Sequence, residues 1–178
     1  MTLQAKFEDS PEAAWSKLAS RAVRVILARR DMSYAALAKE FMELGITESA
    51  RSVEGKVQRG TFRFSFFLQA LAASQADCPT QWQQALLAEL TWEERASSIL
   101  CSEIAQLPWL DWQLLSSRLA EIGIAMPAAT LGEQVLSGTF SAALFLQCAT
   151  VCRFPALTGF IDTSSLNDTV LAGSAPAR

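Results

Sequence analysis

The 178-residue sequence contains no histidine. This absence removes Ser-His and Cys-His nucleophile pairs, the usual zinc sites and the commonest general base near neutral pH. No Gly-rich loop followed by a Gly-Lys pair is present to cradle a phosphate, and no carboxylate pair stands out. We therefore expect no enzymatic activity, no cofactor and no metal site.

The sequence is also short of paired cysteines and of long apolar runs. Its four cysteines (Cys78, Cys101, Cys148 and Cys152) form no CxxC motif, and we expect the last two to be small core residues. The N-terminal stretch is polar, and no run reaches about 18 uncharged apolar residues. These features predict a cytoplasmic protein without a membrane span. The net charge of −3 by itself favours neither a nucleic-acid binder nor an acidic tail.

What the sequence does have is an internal repeat. The stretch GTFRFSFFLQ starts at Gly60 and GTFSAALFLQ starts at Gly138, and 12 of 43 aligned positions match at an offset of 78 residues. This period is too long for a solenoid unit and fits two tandem copies of a four-helix domain.

Helix-start and helix-stop signals recur through both copies. Ser10 and Ser33 are good N-caps, Thr91 with Glu94 makes a capping box, and glycines such as Gly60 suit helix ends. We predict an all-α fold of two tandem four-helix, helix-turn-helix-like domains packed together. The predicted boundaries are a basic copy 1 at 10–75, a helical connector at 76–90, an acidic, Trp-rich copy 2 at 91–162 and a flexible tail at 163–178.

The two copies differ in charge. Copy 1 from Trp15 to Ala73 has ten basic and five acidic residues, whereas copy 2 from Glu93 to Val151 has two basic and six acidic residues. The third helix of copy 1 carries much of this contrast. If Ala50, Val53 and Val57 form its buried stripe, then Arg51, Ser52, Gly55 and Arg59 point outward, with Lys56 on the flank. The matching residues of copy 2 include no basic residue: Ala129, Thr130, Glu133, Ser137 and Gln134.

The stretch SYAALAKEFMELGI…VEGKVQRG resembles the helix-turn-helix of phage-repressor and Cro-like domains. Ser33, Leu37, Ala38, Gly45 and Gly60 fill the characteristic positions, although the spacing from Ala38 to Gly45 is about one helical turn longer than usual. Taken whole, W…RRDMSYAALAKEF…G…K.QRGTF…FFLQAL is more similar to an uncharacterised bacterial family with a domain of unknown function.

The helix-turn-helix resemblance implies that the third helix enters the major groove of double-stranded DNA. Arg51, Ser52 and Arg59 would then contact bases, because arginine pairs with guanine edges. The implied phosphate contacts are Ser33, Lys39, Lys56 and Arg63.

Copy 2 has its own aromatic signature. Trp92, Trp109 and Trp112 suggest a surface that packs against copy 1 or forms a homodimer. We therefore expect a DNA-binding transcriptional or phage-related regulator. The alternative is a protein-interaction module, such as an adaptor or an immunity or antitoxin-like protein.

Overall fold

The computed structural model describes the backbone of residues 10–174, and the side chains of these residues except 157–158 and 173–174. Within this part the chain is all-helical and its only β-pairing is one isolated bridge. The α-helices are α1 (Pro11–Arg29), α2 (Tyr34–Glu43), α3 (Ala50–Arg59), α4 (Phe64–Ala73), α5 (Thr80–Leu87), α6 (Trp92–Ala105), α7 (Trp112–Glu121), α8 (Ala128–Ser137), α9 (Ala142–Cys152) and α10 (Thr163–Ser174), and a 3-10 helix (Pro155–Gly159) precedes α10.

Side-chain caps fix the starts of most of these helices. The Ser33 hydroxyl accepts a hydrogen bond from the Ala36 backbone N–H at 3.1 Å. At the start of α6 the Thr91 hydroxyl accepts from the Glu94 N–H at 3.2 Å, and the Glu94 carboxylate accepts from the Thr91 N–H at 2.7 Å. Each cap satisfies a backbone donor that the helix leaves free. The capping box read from the sequence is therefore confirmed.

The repeated glycines end the third helix of each copy where two backbones nearly touch. Gly60 and Gly138 adopt left-handed φ angles of 69° and 68°. A Cβ atom on Gly60 would lie 1.8 Å from the carbonyl oxygen of Ser16, and one on Gly138 would lie 1.9 Å from that of Glu93. Only glycine permits both this conformation and this approach. The glycine of each repeated Gly-Thr-Phe sequence thus lets the end of α3 pack closely against α1 and the end of α8 against α6.

The residues after these glycines join the two copies about a local two-fold axis. Arg63 and Ser141 occupy equivalent positions and form the isolated antiparallel bridge. The Phe64 N–H donates to the Phe140 carbonyl and the Ala142 N–H donates to the Phe62 carbonyl, both at 3.0 Å. Because each bond is the symmetry counterpart of the other, the two copies are paired as in a two-fold dimer, but within one chain.

The helix that follows the bridge in each copy, α4 or α9, packs against the other copy. Helix α4 packs against α6 of the other copy, and α9 packs against α1. The helix after each copy also packs against the other copy: α5, which follows copy 1, contacts α6, and α10, which follows copy 2, contacts α1. Aromatic rings fill the shared core, where Phe64 stacks on Phe145 with ring centroids 4.0 Å apart and Trp82 packs edge-on against both. The copies therefore share one hydrophobic core.

The sequence predicts a flexible tail at 163–178, whereas the structure has a helix over residues 163–174. This segment forms α10, with Leu166 buried, and Ser165 accepts a hydrogen bond from Arg21 of α1 at 3.2 Å. Its small polar residues look unstructured in sequence, but packing against α1 stabilises the helix. Residues 175–178 lie outside the described part of the chain.

Candidate nucleic-acid interface

Helix α3 presents the outward face that its sequence pattern predicts. Val53 and Val57 are fully buried against the rest of copy 1, which fixes the rotation of the helix about its axis. Arg51, Ser52 and Arg59 are exposed as a result. The three predicted base-contacting residues thus share the solvent side of one helix.

The charges on this face are not equally free. Among the described residues, Arg51 and Arg59 have no ion pair and no hydrogen bond through their side chains. Lys56 forms a salt bridge with Glu48 and lies 5.4 Å from the centroid of the Phe66 ring. The two arginines are therefore the available cations of α3, whereas Lys56 is half-buried and partnered.

Glu48 organises the N-terminal end of α3. It lies just before the N-cap residue Ser49 and accepts a hydrogen bond from the Ser52 hydroxyl at 2.9 Å, in addition to the salt bridge from Lys56. A carboxylate at a helix N-terminus is favourable in the free protein but repels an incoming phosphate. The sequence pattern predicted Ser52 and Lys56 as DNA contacts but did not identify Glu48, which bonds to both side chains.

Gly55 has a local role. A Cβ atom at this position would lie 3.2 Å from the Nη1 atom of Arg59, one helical turn later. No other described atom outside the backbone of the helix itself comes within 4 Å of that Cβ except the Arg59 Cζ at 4.0 Å. The missing side chain therefore lets the Arg59 guanidinium lie along the helix surface.

The predicted phosphate contacts are only partly brought together. Lys56 and Arg63 line one open cleft, which Arg59 also borders. Lys39 is exposed on α2, whereas the Ser33 hydroxyl is engaged in capping that helix. The structure thus brings Lys56 and Arg63 to one cleft near the C-terminal end of α3, whereas Lys39 lies on α2 and Ser33 is the N-cap residue before it.

Most arginines of α1 and its C-cap bond to other parts of the protein itself. Arg30 donates to the carbonyl oxygen of Ser74 at 3.0 Å, and Arg29 donates to the carbonyl oxygen of Gly159. With the bond from Arg21 to Ser165, three of the four arginines of this region tie α1 to the segments around it. Arg24 is exposed. Arg21, Arg29 and Arg30, three of the ten basic residues of copy 1, therefore bond within the protein itself.

The tryptophans of copy 2 occupy three different environments. Trp92 is half-buried with the Arg95 guanidinium 4.3 Å from its ring centroid. Trp109 is 51% exposed and has Arg118 at 4.6 Å in the same arrangement. Trp112 is half-buried on α7 and lies beside Gly132. Two of the three rings are thus covered on one face by an arginine of the same copy.

No helix within residues 10–174 has both the length and the apolar character that crossing a membrane requires.

Comparison with known proteins identifies a domain family that matches each of the two copies separately. Searches among curated proteins and among solved structures gave no significant match, and the helix-turn-helix resemblance is not confirmed. The family model described as "Domain of unknown function (DUF6471)" matches residues 15–78 and again residues 92–156, and the chain therefore belongs to this family, with two tandem copies of its domain.

Proposed function

We propose that this chain is a DNA-binding regulator that places the outer face of α3 in the major groove. The observation that carries the proposal is the contrast between α3 and α8. Both helices are ten residues long, end at a left-handed glycine and bury two aliphatic residues, yet only α3 has exposed arginines. The same framework therefore carries a cationic face in one copy and a neutral-to-acidic one in the other, which indicates a partner that is anionic.

The spacing of the two free arginines suits reading of a duplex. Arg51 and Arg59 are eight residues apart, which corresponds to about 12 Å along a helix. Successive base pairs rise by about 3.4 Å, so the two guanidinium groups would reach different base pairs. Each can form two hydrogen bonds with a guanine edge.

Glu48 sets a condition on this binding mode. Its carboxylate holds Ser52 and Lys56 in the free protein. For Ser52 to contact a base or Lys56 a phosphate, these bonds must be exchanged for bonds to DNA. Arg51 and Arg59 need no such exchange, so they should contribute most of the affinity from α3.

The local two-fold axis predicts how many sites one chain recognises. A dimeric regulator offers two equivalent reading helices to a palindromic operator. This chain has the two-fold pairing but a basic face on only one of the two equivalent helices. One chain should therefore bind a single half-site, and its footprint should be asymmetric.

The test is fluorescence anisotropy with a labelled duplex of mixed sequence, measured from low to moderate salt. We expect affinity to fall steeply with salt, with a log–log slope of about −0.9 per phosphate contact. Arg51→Ala/Arg59→Ala should weaken binding by at least about tenfold, because a bidentate base contact contributes about 1–3 kcal/mol. Circular dichroism should show unchanged helicity, since both side chains are exposed.

A charge-matched control distinguishes the α3 face from general electrostatics. Lys17 and Arg24 are exposed on α1, and Lys17→Ala/Arg24→Ala removes the same charge from a different helix. This control should bind DNA nearly as tightly as the wild type. Absence of binding at low salt, or an equal loss in both double variants, would contradict the proposal.

A protein-interaction module is the second candidate, and the surface of copy 2 favours it. Leu136 on α8 is 64% exposed, at the position where α3 has Gln58, and Trp109 is also exposed. Exposed apolar side chains on an acidic domain suit a protein partner. Purified protein with an absorbance ratio free of nucleic acid and a stoichiometric co-purifying polypeptide would favour this function over DNA binding.

A further inference from the structure

Two equivalent clefts flank the local two-fold axis, one in each copy. The copy-1 cleft has a volume of about 430 Å³ and the copy-2 cleft of about 460 Å³. Both volumes fall within the range of about 300–1,000 Å³ that is typical of ligand sites. At three equivalent positions the same residue type lines the cleft of each copy: Ile46/Ile124, Thr61/Thr139 and Gln69/Gln147.

The repeated glutamine lines the cleft of each copy without a hydrogen-bond partner among the described residues. Gln147 is only 5% exposed and lies on α9, a mostly apolar helix whose other polar side chain is Thr150. Gln69 is only partly buried. Neither amide is among the fully buried polar atoms that lack a partner, so both reach the solvent in their clefts. The Gln147 amide is therefore available to a molecule that enters the copy-2 cleft.

The copy-2 cleft combines opposite charges with this amide. Arg63, which also borders the copy-1 cleft, and Glu12 reach it from copy 1, while Gln147 lines it from copy 2. No described residue forms a salt bridge with either charged side chain. The apolar part of the wall comes from copy 2: Ile124, Met126, Ala143 and Leu144. One cation and one anion leave the cleft neutral overall but with two separate charged groups, which suits a zwitterion better than a phosphate.

We propose that the copy-2 cleft binds a small zwitterion of the amino-acid type, up to dipeptide size, with an amide-bearing side chain. Arg63 pairs with the ligand carboxylate, because a guanidinium matches a carboxylate with two parallel hydrogen bonds. Glu12 pairs with the ammonium group. Gln147 supplies an amide donor and acceptor to the side-chain amide. The inference goes beyond DNA binding and stands independently of it, since the binding test contains no DNA.

The test is isothermal titration calorimetry of the full chain with L-glutamine and with L-alanyl-L-glutamine. We expect at least one of them to bind, and Gln147→Leu to weaken that binding by at least about tenfold. The matched variant Gln69→Leu changes the equivalent position of the copy-1 cleft and should leave binding within about twofold of the wild type, within the usual scatter between similar variants. L-Glutaminamide, which lacks the carboxylate charge, should bind at least about tenfold more weakly than L-glutamine.

Several results would overturn the proposal. They are the absence of binding by both probes at about 10 mM, equal effects of the two glutamine variants, and equal binding of L-glutaminamide. Because Gln147→Leu changes a buried residue, Arg63→Gln serves as a second variant at an exposed position. If Gln147→Leu fails to fold, unchanged binding by Arg63→Gln refutes the ligand assignment and a loss of at least about tenfold supports it.

Discussion

The contact between Gly60 and α1 makes Gly60→Ala the most informative single substitution for the fold. Gly60 and Gly45 both adopt left-handed φ angles, of 69° and 75°. A Cβ on Gly60 would lie 1.8 Å from the Ser16 carbonyl oxygen, whereas one on Gly45 would have nothing within 4 Å. The two glycines therefore share a backbone conformation and differ in the room available for a Cβ atom, so Gly45→Ala is the matched control.

The expected magnitudes follow from these two terms. Placing alanine in the left-handed region costs about 1–2 kcal/mol, and both variants lose this amount. Gly60→Ala must also move α3 away from the backbone of α1. A backbone atom cannot rotate aside, so this displacement should cost at least as much as overpacking a core, about 1–3 kcal/mol. We expect a total loss of about 2–5 kcal/mol for Gly60→Ala and about 1–2 kcal/mol for Gly45→Ala.

Urea unfolding followed by tryptophan fluorescence measures this difference, because Trp15 and Trp82 are both fully buried. With an m value of about 2 kcal/mol/M, Gly60→Ala should lower the midpoint by about 1–2.5 M and Gly45→Ala by about 0.5–1 M. Equal losses in the two variants would refute the close approach of α3 to α1. Unchanged stability of Gly45→Ala would instead refute its left-handed conformation.

Three further predictions concern α3 and the buried thiols. Gly55→Ala should raise the free energy of unfolding by about 0.5–1 kcal/mol, because alanine favours the helix. The same substitution should displace the Arg59 guanidinium and so weaken DNA binding in the anisotropy assay. Cys148 and Cys152 are buried, so a thiol reagent should label the half-buried Cys78 and Cys101 first and reach the two buried thiols only as the protein unfolds. Burial raises the pKa of Cys152 from 9.0 to about 11, so the stability from its neutral thiol is complete below about pH 9 and is lost as the pH rises towards 11. Urea midpoints from pH 8 to 11 should therefore fall less steeply for Cys152→Ala than for the wild type.

The local elements of this fold could be predicted because their signals are local. A serine or threonine before an apolar stripe and a glycine after it place most helix ends to within a few residues, as at Ser33 and Gly60. The ten repeated letters predicted two copies. What the sequence could not predict is which helix covers which. An apolar face specifies that it will be buried but not its partner, so the exchange of α4 and α9 between copies was missed, and α10 with it.

The candidate site divides in the same way. The exposure of Arg51 and Arg59 follows from helical periodicity and could be predicted from three aliphatic positions. The salt bridge between Lys56 and Glu48 could not, because Glu48 lies before the helix begins and the spacing of eight residues is not a helical i, i+4 pair. The copy-2 cleft also escaped prediction, because residues of both copies line it. Its one sequence signal is Gln147, a polar residue repeated on an apolar helix.

The pairing of two copies in one chain bears on how their surfaces came to differ. In a homodimer both subunits carry every substitution, so a reading helix and its symmetry mate stay identical. Fusion in one chain removes that constraint, and α8 accordingly has Glu133 where α3 has Gly55. The shared core opposes divergence elsewhere, because a change at Phe64 or Phe145 disturbs both copies at once. Gly138→Ala should for that reason destabilise the whole chain in a single transition, although it lies in the copy without the basic face. Separate melting of the two copies by calorimetry would show that the exchanged helices do not hold them together.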